Sequence, residues 1–237
     1  MDRVDTVNGD RQNEILVLGD SHADVFAHES MAGEFADCAF NVVSVGGATI
    51  SGLENPNSKT QAMPIFKSAL DASKAGIVIT LLGEVDTGFV IWYRAEKHNV
   101  PVHSMRDVAL RNYERFLLEL RKERAVICVS SPLPTIKDDN DWGEVANARR
   151  EVKANQLQRT ELTMTFNRSV QRFCQENGLD FLMLDQDSIG ADGLVRADLR
   201  NHDPRDHHYD QSAYARLIAG ALRPVLADLM DDTSRLV

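Results

Sequence analysis

A doubly wound α/β domain, five parallel strands covered by helices on both faces, is the fold that this chain predicts. Two observations carry the prediction. Five short apolar runs recur along the 237 residues, at 14–19 (EILVLG), 40–47 (FNVVSVGG), 75–83 (AGIVITLLG), 125–131 (AVICVSS) and 180–185 (DFLMLD). They are continuous rather than alternating, as strands buried on both faces must be. Longer amphipathic stretches separate them, so strand and helix alternate in the order that a parallel sheet with helical crossovers requires.

The helical stretches follow from their patterns. Residues 23–35 come after the first run and 60–73 before the third. Residues 104–123 place Val108, Tyr113, Phe116, Leu117 and Leu120 on one stripe, with Ser104 and Asp107 suited to the helix start. Residues 147–177 read as a long polar-rich helix that Gly178 ends. The last helix, 211–230, contains Pro224, which predicts a break or kink. Without a linker, repeat or low-complexity segment, residues 14–237 read as one domain behind a polar extension at 1–13.

Composition excludes several classes. The net charge of −10 repels phosphate backbones and anionic membranes, so neither nucleic acid nor membrane is an expected partner. Three scattered cysteines (Cys38, Cys128, Cys174) without a CxxC pair form neither a disulfide framework nor a zinc site, and Cys128 reads as core. No window approaches the ~18 apolar residues of a membrane span, and residues 1–13 lack a secretory signal's apolar stretch, so the expectation is a soluble, cytoplasmic protein.

In a doubly wound sheet, chemistry gathers beyond the C-terminal ends of the strands. The first run ends in Leu18-Gly19-Asp20-Ser21-His22. A serine at a tight strand-to-helix turn stands above the sheet, where backbone N–H groups and the helix start favour an oxyanion. Helix capping by Asp20 or Ser21 is the plainer reading. Near the C-terminus, Asp203-Pro-Arg-Asp206-His207-His208-Tyr209-Asp210 precedes the last helix. Histidine suits proton transfer from a serine at neutral pH, and a carboxylate fixes its tautomer. Asp206 and Asp203 are the candidates for that carboxylate. A metal site here is not expected: adjacent histidines usually point apart, and no third histidine stands at ligand spacing.

At this point the chain resembles the SGNH (GDSL-like) hydrolases over nearly its whole length. Gly19-Asp20-Ser21 resembles the family's first block, which holds the nucleophile. Ser44-Val-Gly46-Gly47-Ala-Thr49 resembles the second, whose glycine N–H serves the oxyanion. Gly83-Glu84-Val85-Asp86 falls where Gly-x-Asn-Asp belongs, and His208 to Tyr214 resembles the last block. The resemblance implies a flavodoxin-like three-layer α/β/α domain with Ser21 as nucleophile, His208 as base, and the Ser21 and Gly46 N–H groups as oxyanion donors. It implies no cofactor. The reaction would be hydrolysis of a carboxylic ester through an acyl-enzyme, with a small, acetyl-like acyl group on a carbohydrate or small molecule.

The chain departs from the family pattern twice. Val85 stands where an asparagine usually donates to the oxyanion; His22, Arg94 and His98 are the replacements considered, each also readable as a solvated residue. The position three before His208 is Arg205, so Asp206, two before, is the favoured acid, with Asp203 kept open, especially if His207 is the base. The Gly-Glu-Val-Asp form of the third block resembles a bacterial subgroup linked with surface polysaccharides, which suggests Glu84 at the site mouth beside Asp86. Arg159, Thr160, Phe166 and Asn167 read as a solvated helix face without a role; Trp92 and Tyr93 read as core, and Trp142 as a pocket residue. Three rival functions remain: O-acyl transfer from the same acyl-enzyme, a non-catalytic binding module, and a nucleotide binder, which the acids of the first loop disfavour.

Overall fold

The computed structural model describes residues 13–138, 152–203 and 205–234, with side chains to residue 231. Trp142 and the start of the long helix expected at 147 lie outside the described residues. Five strands, β1 (Asn13–Gly19), β2 (Cys38–Ser44), β3 (Ile77–Leu81), β4 (Ala125–Val129) and β5 (Asp180–Leu182), form one parallel sheet in the order β2-β1-β3-β4-β5. This is the flavodoxin-like 2-1-3-4-5 order, which reverses direction between β1 and β3.

The period of two along each strand divides the core. Ile15, Val17, Ile79, Leu81, Ile127 and Val129 face one side. There they pack on α1 (Glu29–Glu34) and on α8 (Gln211–Ser234), which contributes Ala215, Ile218, Leu222 and Leu226. Leu16, Leu18, Val78, Val126 and Cys128 face the other side. Their partners lie on α2 (Ile50–Leu53), α3 (Ala62–Ala72), α4 (Ile91–His98), α5 (Val102–Arg121) and α6 (Gln156–Glu176). A four-residue helix, α7 (Asp185–Ser188), follows β5.

Several helices differ from expectation for local reasons. The stretch at 23–35 is two elements: a 3₁₀ turn at Ser21–Ala27, then α1, whose N-cap His28 accepts from the Ser30 N–H through Nδ1 at 3.2 Å. Among the described residues α6 begins at Gln156, behind a capping box in which Asn155 and Gln158 satisfy each other's N–H groups at 2.8 and 2.9 Å. It ends before Gly178, at φ 61°, as expected. Pro224 does not end α8. Apolar residues on both sides of it are buried against the sheet, and their burial outweighs the ~3 kcal/mol that an interior proline costs. The helical segment Asp86–His98, a π-helical turn running into α4, was not anticipated.

Candidate active site

The loop that carries Ser21 is shaped by what the end of β1 cannot accommodate. A Cβ on Gly19 would meet the Leu81 carbonyl and the Ala23 Cβ, each at 2.5 Å, so only glycine lets the chain turn beside β3. The Asp20 N–H then donates to Leu81 O at 3.2 Å. Asp20 caps the 3₁₀ turn, its Oδ1 accepting from His22 N at 2.9 Å, as the plainer reading supposed. Capping and exposure of the serine coexist: Asp20 is buried while Ser21 stands partly open above the sheet.

The tail meets this loop. His208 Nε2 lies 2.8 Å from Ser21 Oγ, although the residues are 187 positions apart. On the other side of the ring, His208 Nδ1 lies 2.6 Å from Asp206 Oδ1. The same Oδ1 accepts from His208 N at 2.9 Å, and Asp206 Oδ2 accepts from Asn201 Nδ2 at 2.9 Å. Partial burial pushes the Asp206 carboxyl up, but the two bonds to His208 and the charge of the neighbouring histidines hold it below its usual range. Asp203 does not face the ring. It is exposed, pairs with Arg205 and caps the Arg205 N–H at 2.9 Å. A short Asx turn thus absorbs Asp203, and the carboxylate that faces the His208 ring is that of Asp206.

Two further contacts lock the tail. Leu133 N donates to the Tyr209 hydroxyl at 2.8 Å, and Thr135 Oγ1 donates to the His207 carbonyl at 2.5 Å. Tyr209 is buried edge-on to Tyr214, their centroids 4.9 Å apart. The loop after β4 therefore fixes the segment that carries His208. Asn201, Leu133 and Thr135 had no signal in the sequence, because their roles exist only once distant loops meet.

Gly46 and Gly47 follow a segment joined to the Ser21 loop by Val45 N on Gly19 O at 2.9 Å and by the Ser44 hydroxyl on Asp20 O at 3.2 Å. Gly47 adopts φ 71°, which favours glycine, while a Cβ on Gly46 would point into open space. Among the described residues the N–H groups of Ser21 and Gly46 donate to no protein acceptor.

In the third block, Gly83 takes φ 120°, and a Cβ there would come within 2.2 Å of Ser131 Oγ. Asp86 is fully buried and is no part of the reacting group. Its carboxyl accepts from Ile50 N at 2.7 Å and Ser51 N at 3.0 Å, tying the start of α2 to the segment after β3. Glu84 is not at a site mouth: it is 2% exposed, and its charge, with burial and Asp185, helps to push the Tyr209 phenol up. His22 packs against His208, centroids 4.7 Å apart, whereas Arg94 and His98 sit on α4, and neither hydrogen-bonds to the Ser21–His208 pair.

The face of α6 read as solvated is buried. Asn167 is 1% exposed and joins three elements: its Oδ1 accepts from Ser131 N at 2.9 Å, and its Nδ2 donates to Ser131 O at 3.0 Å and to Asp185 Oδ1 at 2.7 Å. Arg159 donates to Ile136 O at 2.8 Å and to Asp138 at 3.1 Å. Trp92 is half-buried and donates to Thr87 O, and Tyr93 stacks on Phe89. Polar side chains on this face bond to strand-end loops, which the helical period cannot reveal.

Burial leaves a measurable mark. It lifts the Asp86 and Asp185 carboxyls from 3.8 to about 6, in each case against hydrogen bonds that pull the other way. Between about pH 4 and 6 the native protein therefore binds more protons than the unfolded chain. The stability these groups contribute is greatest below pH 4 and is lost as pH rises through about 6. Carbon-detected NMR titration should show two aspartate carboxyls with midpoints near 6; midpoints near 4 for both would contradict this assignment.

No protein-family model and no curated protein matches the chain. Solved structures do. It is similar to a GDSL-like lipase from Bacteroides thetaiotaomicron VPI-5482 at 11% identity and TM-score 0.61, over 92% of this chain and 90% of the other. It is similar to the acetyl xylan esterase AlAXEase at 13% identity and TM-score 0.55, over 90% and 98%. It is similar to a catalytic mutant of the acetylxylan esterase Axe2 from Geobacillus stearothermophilus at 15% identity and TM-score 0.53, over 89% and 92%. At such identities the likeness speaks for the fold, and the chain has the fold of the GDSL-like hydrolases along nine-tenths of its length.

Proposed function

We propose that this chain is a serine ester hydrolase that removes a small, acetyl-like acyl group from a carbohydrate or small-molecule ester. The observation that carries the reading is the continuous Ser21–His208–Asp206 relay, with both links within hydrogen-bond reach. As Ser21 Oγ attacks the carbonyl, its proton passes to His208 Nε2. Asp206 holds the Nδ1–H and stabilises the imidazolium. His208 then protonates the leaving alkoxide, which departs and leaves the acyl group on Ser21. Water attacks the acyl-enzyme and gives its proton to His208; collapse returns that proton to Ser21 and releases the acid.

The Ser21 and Gly46 N–H groups would hold the oxyanion: among the described residues neither donates to a protein acceptor, and Val45 N on Gly19 O ties the Gly46 segment to the Ser21 loop. Val85 contributes no donor. Adding one where the family pattern has it, by Val85→Asn, should raise kcat/KM for p-nitrophenyl acetate at least about tenfold, because one oxyanion donor is worth about 2.7–4 kcal/mol. An unchanged or lower value would mean that another group already fills this place.

Labelling with a fluorophosphonate probe tests the reading directly. The adduct should map to Ser21 and be absent from Ser21→Ala. Absence of labelling in the folded wild-type protein would favour a binding module. Acetylated sugar in place of free acetate, when a sugar is added with the activated ester, would assign acyl transfer.

A further inference from the structure

Three imidazoles converge where the two ends of the fold meet. The centroids of His22 and His208 are 4.7 Å apart, those of His207 and His208 4.2 Å, and those of His22 and His207 5.7 Å. One nitrogen from each ring lies within 4.8 Å of the other two. Contrary to expectation, the adjacent histidines turn their rings to the same side, and a third histidine comes from the loop after β1.

Two of the rings are held as metal ligands are. Asp20 Oδ1 lies 3.1 Å from His22 Nδ1, and Asp206 Oδ1 lies 2.6 Å from His208 Nδ1. A carboxylate on Nδ1 fixes the proton there, leaves the lone pair on Nε2 and raises its basicity, the arrangement that orients histidine ligands of zinc. Asp20 and His22 are 1% and 2% exposed, so this pair is fixed by packing. An all-imidazole donor set suits zinc or copper rather than magnesium or calcium. Three nitrogens around tetrahedral zinc stand about 3.4 Å apart, so the rings need close by no more than about 1.4 Å.

We propose that His22, His207 and His208 bind a zinc ion, which switches the site off. His208 Nε2 exchanges its hydrogen bond with Ser21 Oγ, now 2.8 Å long, for a bond to the metal, and water takes the fourth position. The three lone pairs are donated without oxidation or reduction, and Ser21 keeps its proton because its base is occupied. The metal site stands on the ring geometry alone, whereas the inhibition rests on the hydrolase reading above.

Two readouts on the full chain separate these parts. Competition with a chromogenic zinc chelator measures binding, and fluorophosphonate labelling at rising zinc chloride measures access to a working Ser21. The wild type should bind one zinc at this cluster and lose labelling as the site fills, with recovery on adding EDTA. His207→Ala, which removes a ring outside the proton relay, should label normally without zinc and need at least about tenfold more zinc to lose labelling. His207→Gln serves the same purpose if the alanine variant does not fold. Ser21→Ala should bind zinc as the wild type does. Equal zinc affinity in wild type and both His207 variants would overturn the site. Zinc binding that depends on His207 but leaves labelling intact, or accelerates ester hydrolysis, would overturn the switch. A wild type that never labels yet binds zinc through His207 would uphold the site and reject the hydrolase reading.

Discussion

Ser21→Ala and His208→Ala should each lower kcat for p-nitrophenyl acetate by about 10⁴–10⁶, and the double variant should be little worse than either single one. On the hydrolase reading the two groups act as one unit, because a serine without its base is a poor nucleophile and a base without the serine has nothing to deprotonate. Asp206→Asn should cost about 10⁴ even with its geometry intact, since an amide in contact with Nδ1 favours the wrong tautomer. Asp203→Asn should leave the rate essentially at the wild-type level, because Asp203 is turned to Arg205. A large loss in Asp203→Asn with none in Asp206→Asn would reverse the assignment of the acid. A Ser21→Ala protein that still hydrolyses the ester at the wild-type rate would end the acyl-enzyme reading.

The largest effect on stability is expected from a residue far less conspicuous than these. Asn167→Ala strips hydrogen bonds from Ser131 N, Ser131 O and Asp185, all inside the molecule. Each buried group left unsatisfied costs about 1–3 kcal/mol, so the loss should be about 3 kcal/mol or more. For a domain of this size that lowers Tm by roughly 6–12 °C, which calorimetry can read. Asn167→Asp should also destabilise, most at high pH, because it sets a second carboxylate against Asp185. A wild-type melting temperature in Asn167→Ala would mean that the loop after β4 is held by its other contacts, among them Ser131 Oγ on Leu82 O, Leu133 N on the Tyr209 hydroxyl and Thr135 on His207 O.

The sheet was legible because burial on both faces leaves a strong one-dimensional trace. Runs such as 14–19 and 125–131 can be little else, and β1, β2, β3, β4 and β5 all fall within two residues of the starts of the runs that predicted them. Gly19 and Gly83 were picked out by the family's blocks, and the structure supplies the reason, since no side chain fits at either. The helices were read less well. The π-helical turn at Asp86–Val90 and the break at His28 depend on local hydrogen bonds, which have no period.

What the chain determined by itself was therefore the parallel sheet, its alternation with helices, and the kinds of group that stand at the strand ends: a serine after β1, glycines after β2, a histidine before the last helix. Only the tertiary structure decided which of these groups touch. It set Asp206 rather than Asp203 against His208, buried Asp86 and Glu84 away from the solvent, turned Asn167 inward, and gathered His22 with His207 and His208. Burial of apolar surface acts on each segment separately and is written into its local pattern. A contact of about 3 Å between groups far apart in the chain is settled only when all the segments between them have packed, and no local pattern records the sum of those placements.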